Sequence, residues 1–219
     1  MMTKLLKSPL YIRLQVYRLS LSNALNFQPL KKPLATFSFD RPKLMQGQNR
    51  LEKVLALEST KDDTYGAQKA ATDTVTAERE AVRKQFGEHR QLAQLAFKGD
   101  RDTGTQLKLN VRIKKDFSGW LTQATAFYDK ISEHQEGIAR YGVTAEVLQQ
   151  TQTRLQALVA LYHQQTQRKA EAQNNTEQRN QAIKELDAWM REFYQVAKIA
   201  LKDEPQLLEA IGISVPAQV

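Results

Sequence analysis

Three histidines, His89, His134 and His163, are the chain's side chains best suited to moving a proton near neutral pH. None has a glutamate three residues before it, so the Glu-x-x-His pair with which helical bundles hold two metal ions is missing, as is His-Glu-x-x-His. His89, close to Phe86 and Leu92, and His163, beside Tyr162, read as partly buried helix histidines. Gly99 and Gly104 flank Gly-Asp-Arg-Asp-Thr-Gly, which fits a helix C-cap and linker. It does not match the phosphate loop G-x-x-x-x-G-K-[ST] and lacks the distal glutamate of a calcium loop. The carboxylate pairs Asp62-Asp63, Asp203-Glu204 and Glu78/Glu80 lie in strongly polar stretches, where nothing pushes two pKa values apart as acid–base catalysis requires. They read as solvated helix faces. The absence of cysteine excludes a disulfide scaffold, a thiolate zinc site, an iron–sulfur cluster and a thiol nucleophile. The sequence therefore assigns no catalytic, cofactor-binding or metal residue, and the expectation is a protein that is not an enzyme.

Aromatic residues gather in two runs, Trp120, Phe127 and Tyr128, and Trp189, Phe193 and Tyr194 with Met190. Spaced at three to four, they build helix faces that fill a core. The sharper alternative is an apolar pocket between helices that carries a small ligand.

One feature inclines toward binding. Residues 1–50 hold nine basic side chains and a single acid, Asp40, whereas residues 51–219 sum to zero, so the net charge of +8 resides in the first fifty residues. Lys4, Lys7, Arg13, Arg18, Lys31, Lys32, Arg41, Lys43 and Arg50 are the candidate anion-contacting residues, for nucleic acid or an anionic membrane surface. The segment lacks the aromatic interleaving of a base-stacking platform. As a solvated arm, or one that pairs with acids elsewhere in the protein or on a partner, it needs no ligand.

The elements that would position these residues are helical. Nine glycines and six prolines are few for a chain rich in tight turns. No run of about 18 apolar residues exists to form a transmembrane helix, and no signal peptide is read at the N-terminus. A shift of 104 residues aligns the two halves without a gap over residues 34–100. Leu44 falls on Leu148, Leu51 on Leu155, Val54 on Leu158, Phe86 on Met190 and Ala93 on Ala197. Before them a shift of 106 places Leu14 on Trp120, Leu21 on Phe127 and Leu25 on Ile131. The predicted fold is all-α, an elongated helical bundle of two tandem copies of a short-helix plus long-helix (or helical hairpin) unit. The boundaries are a basic tail at 1–9, unit one at 10–109, a linker at 110–116, unit two at 117–214 and a tail at 215–219.

Within the units three points are open or local. Ile12, Leu14 and Val16 alternate as in a strand, but Leu10, Leu14, Tyr17, Leu21 and Leu25 recur at helical spacing, and the second copy favours helix. Residues 107–115 also alternate and predict a short extended segment. Asp40 and Thr144 are N-cap signals for two long helical regions, 41–98 and 144–203. Both lose their apolar residues in the middle. Either they are continuous helices in a thin antiparallel coil, or each turns near Tyr65-Gly66 and Asn174-Asn175 into a hairpin. Gly66 and the asparagine pair favour hairpins.

The runs HRQLAQLAFKGD (89–100), WLTQATAFYDKI (120–131) and AKIALKDEPQLLEAIGI (197–213) resemble a loosely defined family of bacterial proteins of about this length with two helical halves. The resemblance covers most of the chain from residue 10 onward. It implies an all-α fold and a bacterial source, and it carries over no functional residues. The expected role is a structural or protein–protein interaction protein, self-associating through Ala- and Gln-rich helix faces, in a reducing cytoplasm. The alternatives are a charge-driven binder acting through residues 1–50 and a small-ligand carrier.

Overall fold

The computed structural model describes residues 5–215, and every regular element among them is helical. In chain order they are α1 (Leu10–Asn26), α2 (Gln28–Thr36), α3 (Arg41–Ala96), α4 (Arg101–Gln106), α5 (Phe117–Ile131), a 3-10 turn (Ser132–His134), α6 (Gln135–Ala139), α7 (Ala145–Ala200) and a 3-10 segment (Pro205–Ile211). No helix among the described residues is long and apolar enough to cross a membrane.

The two 56-residue helices start where local chemistry places them. The Asp40 carboxylate accepts the Lys43 amide at 3.0 Å, and the Thr144 hydroxyl accepts that of Val147 at 3.4 Å. Each satisfies an amide that the first turn leaves without an intrahelical partner.

Neither helix turns back. Gly66 lies inside α3, and Asn174 and Asn175 lie inside α7, so the hairpins those residues favour are not formed. The middle of α7 is rich in Ala, Gln, Lys and Glu, all strong helix formers, that of α3 mixes them with Thr and Asp, and a single interior glycine costs only about 1 kcal/mol. The threonines there turn their hydroxyls onto their own helix. Thr64, Thr72, Thr74 and Thr76 each donate to the carbonyl four residues back, at 2.8–3.0 Å.

Two further expectations change. Residues 107–115 form turns and irregular chain, with no strand. The Gly-Asp-Arg-Asp-Thr-Gly run is a C-cap followed by a new helix. Gly99 takes a left-handed φ of 93°, and Asp100 then caps α4 by accepting the Thr103 amide.

The chain forms two compact units. One holds the chain up to Tyr65 together with the chain from Glu171, and the other is Gly66–Ala170. Each therefore draws on residues far apart in sequence. In the first, Leu14, Tyr17, Leu21 and Leu25 of α1 share a core with Leu44, Leu51 and Val54 of α3 and with Leu186, Met190 and Phe193 of α7. Ion pairs of Lys43 with Glu192 (3.4 Å), Arg50 with Glu185 (3.6 Å) and Glu58 with Arg179 step up α3 and down α7, so the helices run antiparallel there. In the second, Trp120, Phe127, Tyr128 and Ile131 of α5 share a core with Val82, Phe86 and Ala93 of α3 and with Leu148, Leu155 and Leu158 of α7.

Candidate functional site

Both aromatic runs are core. Trp189 stacks on Phe193 at 5.7 Å between centroids and meets Phe39 edge-on at 5.5 Å; Phe86 meets Phe127 edge-on at 5.5 Å. His89 is buried, and its Nδ1 shares a 3.0 Å hydrogen bond with the Tyr128 hydroxyl. Burial holds the His89 pKa below the ordinary histidine value, with Glu88 acting weakly against it, and burial raises that of Tyr128. His163 is exposed, contrary to the sequence expectation. No group of three or more His, Cys, Asp or Glu among the described residues is placed to hold a metal ion.

The structure gives the nine candidate cations different fates. Lys4 lies outside the described residues. Arg13 is committed to Asp187, with its Nη1 donating to the carboxylate at 2.5 Å while the Tyr17 hydroxyl donates to the other oxygen at 2.8 Å. Burial, then the hydrogen bond to Asp187, raises the Tyr17 pKa. Lys43 and Arg50 pair with α7 carboxylates, and Lys43 also lies over the Phe39 ring at 5.6 Å. Lys7, Arg18, Lys32 and Arg41 are exposed, and Lys31 is half-buried. Residues 10–50 are thus not a solvated arm. They form α1, α2 and the start of α3, inside a packed unit.

Folding also redistributes the charge. The first unit combines the basic N-terminal segment with acidic residues 171–219 and holds 16 basic against 13 acidic residues. Gly66–Ala170 holds 16 against 11. The larger surplus therefore belongs to the unit that carries none of the nine candidates.

That surplus concentrates where α4 leads into α5. Residues 103–115 contain Lys108, Arg112, Lys114 and Lys115 and no acid. All four side chains are exposed, and none is within ion-pair reach of a carboxylate among the described residues. The carbonyls beneath them are held by side chains. Arg90 donates to Lys108 at 2.9 Å, Leu109 at 2.8 Å and Val111; Arg83 to Lys114 at 3.1 Å; and Arg79 to Lys115 at 3.2 Å. Gln123 donates to the Arg112 carbonyl at 3.0 Å and accepts the Lys114 amide at 2.7 Å. Arg79 and Arg83 also face the rings of Phe117 and Trp120 at 5.4 and 6.0 Å. Alternation and zero net charge over 51–219 concealed this cluster. The spacing Arg79, Arg83, Arg90 along one helix face was the signal that could have revealed it.

Comparison with known proteins returns no match: no family model, no curated protein and no solved structure matches this chain.

Proposed function

We propose that the chain is a non-enzymatic structural or protein–protein interaction protein, an all-α bundle made by tandem duplication of a unit at 10–109 and 117–214. The observation that carries this reading is what recurs at a spacing of 104 residues. Leu34 and Ile138, Phe39 and Val143, Leu44 and Leu148, Leu51 and Leu155, and Val54 and Leu158 are buried in pairs. So are Val82 and Leu186, Phe86 and Met190, Ala93 and Ala197, Leu107 and Ile211, and Leu109 and Ile213.

Backbone detail supports the same reading. The two non-glycine residues with positive φ among those described, Ser38 (67°) and Lys108 (50°), stand 104 positions before Gly142 (82°) and Gly212 (78°). The bonds that close these turns match as well, Ser38 to Ala35 with Gly142 to Ala139, and Leu109 to Gly104 with Ile213 to Leu208. The partners Gly142 and Gly212 take a left-handed φ freely, so what these turns add is that both copies reverse the chain at the same positions. In α1 and α5 a shift of 107 matches four buried positions, Tyr17, Ser20, Leu21 and Ala24 with Ala124, Phe127, Tyr128 and Ile131, one more than the shift of 106.

Packing recurs more fully than the groups able to do chemistry, of which Arg50, Glu88 and Lys98 match Arg154, Glu192 and Lys202 while others change. His89, Arg90 and Arg83 correspond to Phe193, Tyr194 and Asp187. A chain whose two copies keep the core while the buried histidine of one is a phenylalanine in the other fits a role in which the scaffold itself is what persists. Each copy also gives its start to one compact unit and its end to the other, the topology of a domain-swapped pair joined into one chain. Helix faces rich in Ala and Gln are the surfaces proposed for self-association.

Light scattering and native mass spectrometry of chain purified from its host test the reading. It expects a fixed-stoichiometry assembly, with itself or with another protein, that survives moderate salt. A monomer carrying a bound small molecule contradicts it.

A further inference from the structure

We propose that the surface around residues 107–115 binds the sugar–phosphate backbone of nucleic acid without reading its sequence. Lys108, Arg112, Lys114 and Lys115 present four cations with no carboxylate partner among the described residues, on a stretch that carries no acid. Asp116, which follows, has its carboxylate committed to the Gly119 amide at 2.7 Å. Arg79, Arg83 and Arg90 bring three more charges beneath the segment, and by holding its carbonyls they fix the backbone from which the four cations project. A preordered cationic surface loses less conformational entropy on binding than a flexible basic tail, and it concentrates positive potential where acids do not cancel it.

The shape favours nucleic acid over a lipid surface. Lys108 and Lys114 flank an open cleft of about 640 Å³, lined also by Asn110, Val111 and Thr122. A cleft lined by cations together with amide and methyl-bearing side chains suits a phosphate with its sugar and base, and amide and cationic side chains are the usual contacts to nucleic-acid backbones. A membrane presents a plane, which leaves such a cleft unfilled. With no aromatic ring lining the cleft, binding is weak and indifferent to sequence.

The test is fluorescence anisotropy of a labelled, mixed-sequence single-stranded DNA of about 20 nucleotides with the full chain at 50 and 200 mM salt. The combined variant Lys108→Gln, Arg112→Gln, Lys114→Gln and Lys115→Gln is expected to weaken binding about tenfold or more at 50 mM. It should also lower the slope of log affinity against log salt by about 2 to 3, as loss of three or four phosphate contacts requires. All four side chains are exposed, so the helical circular dichroism should not change. A control removing the same formal charge in the other unit, Lys7→Gln, Arg18→Gln, Lys32→Gln and Arg41→Gln, is expected to stay within about twofold of the parent. Equal losses in the two variants would reduce the effect to net charge and overturn the proposal. So would no loss in the first variant, no binding by the parent at 50 mM salt, or stronger binding to phosphatidylserine vesicles than to DNA.

Discussion

Arg13 and Asp187 stand 174 positions apart and meet as an ion pair at 2.5 Å, with side chains only 14% and 12% exposed. The pair joins α1 to α7, and the Tyr17 hydroxyl closes it from the side. Removing one partner of a mostly buried pair leaves the other charge without compensation. Asp187→Ala is therefore expected to lower stability by about 3 kcal/mol in urea denaturation. The double variant Arg13→Met with Asp187→Leu, which removes both charges, should recover part of that loss. A double variant no better than Asp187→Ala alone would show that the charges are not coupled.

Two glycines inside α3 should respond in opposite directions to alanine. A Cβ at Gly47 would lie 2.4 Å from the Trp189 ring, and one at Gly66 meets nothing within 4 Å. Gly47→Ala is expected to destabilise by about 1–3 kcal/mol through overpacking, despite the gain in helix propensity. Gly66→Ala should stabilise by about 0.5–1 kcal/mol, since it sits mid-helix in open solvent. Thermal melts of both variants check this, and a Gly66→Ala variant less stable than the parent would mean the chain turns there.

Acid should weaken the fold before carboxylates begin to titrate. Burial, opposed by Glu88, lowers the His89 pKa from 6.5, so below about pH 6.5 the unfolded chain binds a proton that the folded chain resists. Stability from this source is complete above that value and declines as pH falls through the window beneath it. His89→Phe, which places the side chain found at the matching position 193, is expected to flatten the stability profile between about pH 6.5 and 5.

Alkali acts through the tyrosines. Burial raises the pKa values of Tyr17 and Tyr128 from 10, and pushes Tyr194 up to about 12. Above about pH 10 the unfolded chain loses phenolic protons that the folded chain keeps, so stability falls as pH rises. Absorbance titration should find the buried rings of Tyr17, Tyr128 and Tyr194 ionising only with unfolding.

How much of this is written in the sequence depends on range. Asp40 and Thr144 announce the long helices because a cap is satisfied within three residues. The ambiguity over α1 is settled as helix once Tyr17, Leu21 and Leu25 find the α3 and α7 core. Gly66 and Asn174-Asn175 mislead because their local preference for turns is weaker than the summed helix propensity around them. Residues 107–115 mislead because alternation says nothing about where carbonyls go, and here arginines up to 36 positions away take them. The basic start of the chain reads as an arm only while its acids, Glu185, Asp187 and Glu192, are out of sight on the far end of the sequence.

Cleavage tests most directly whether each compact unit takes its core from both halves of the chain. A protease site inserted between Asn110 and Val111, cut in the folded protein, yields fragments ending and beginning within the 110–116 segment. Because α1 shares its core with the end of α7, and α5 shares its own with the end of α3, the fragments should co-elute at the mass of the intact chain. Fragments that separate into two species, each retaining full helicity on its own, would contradict the account.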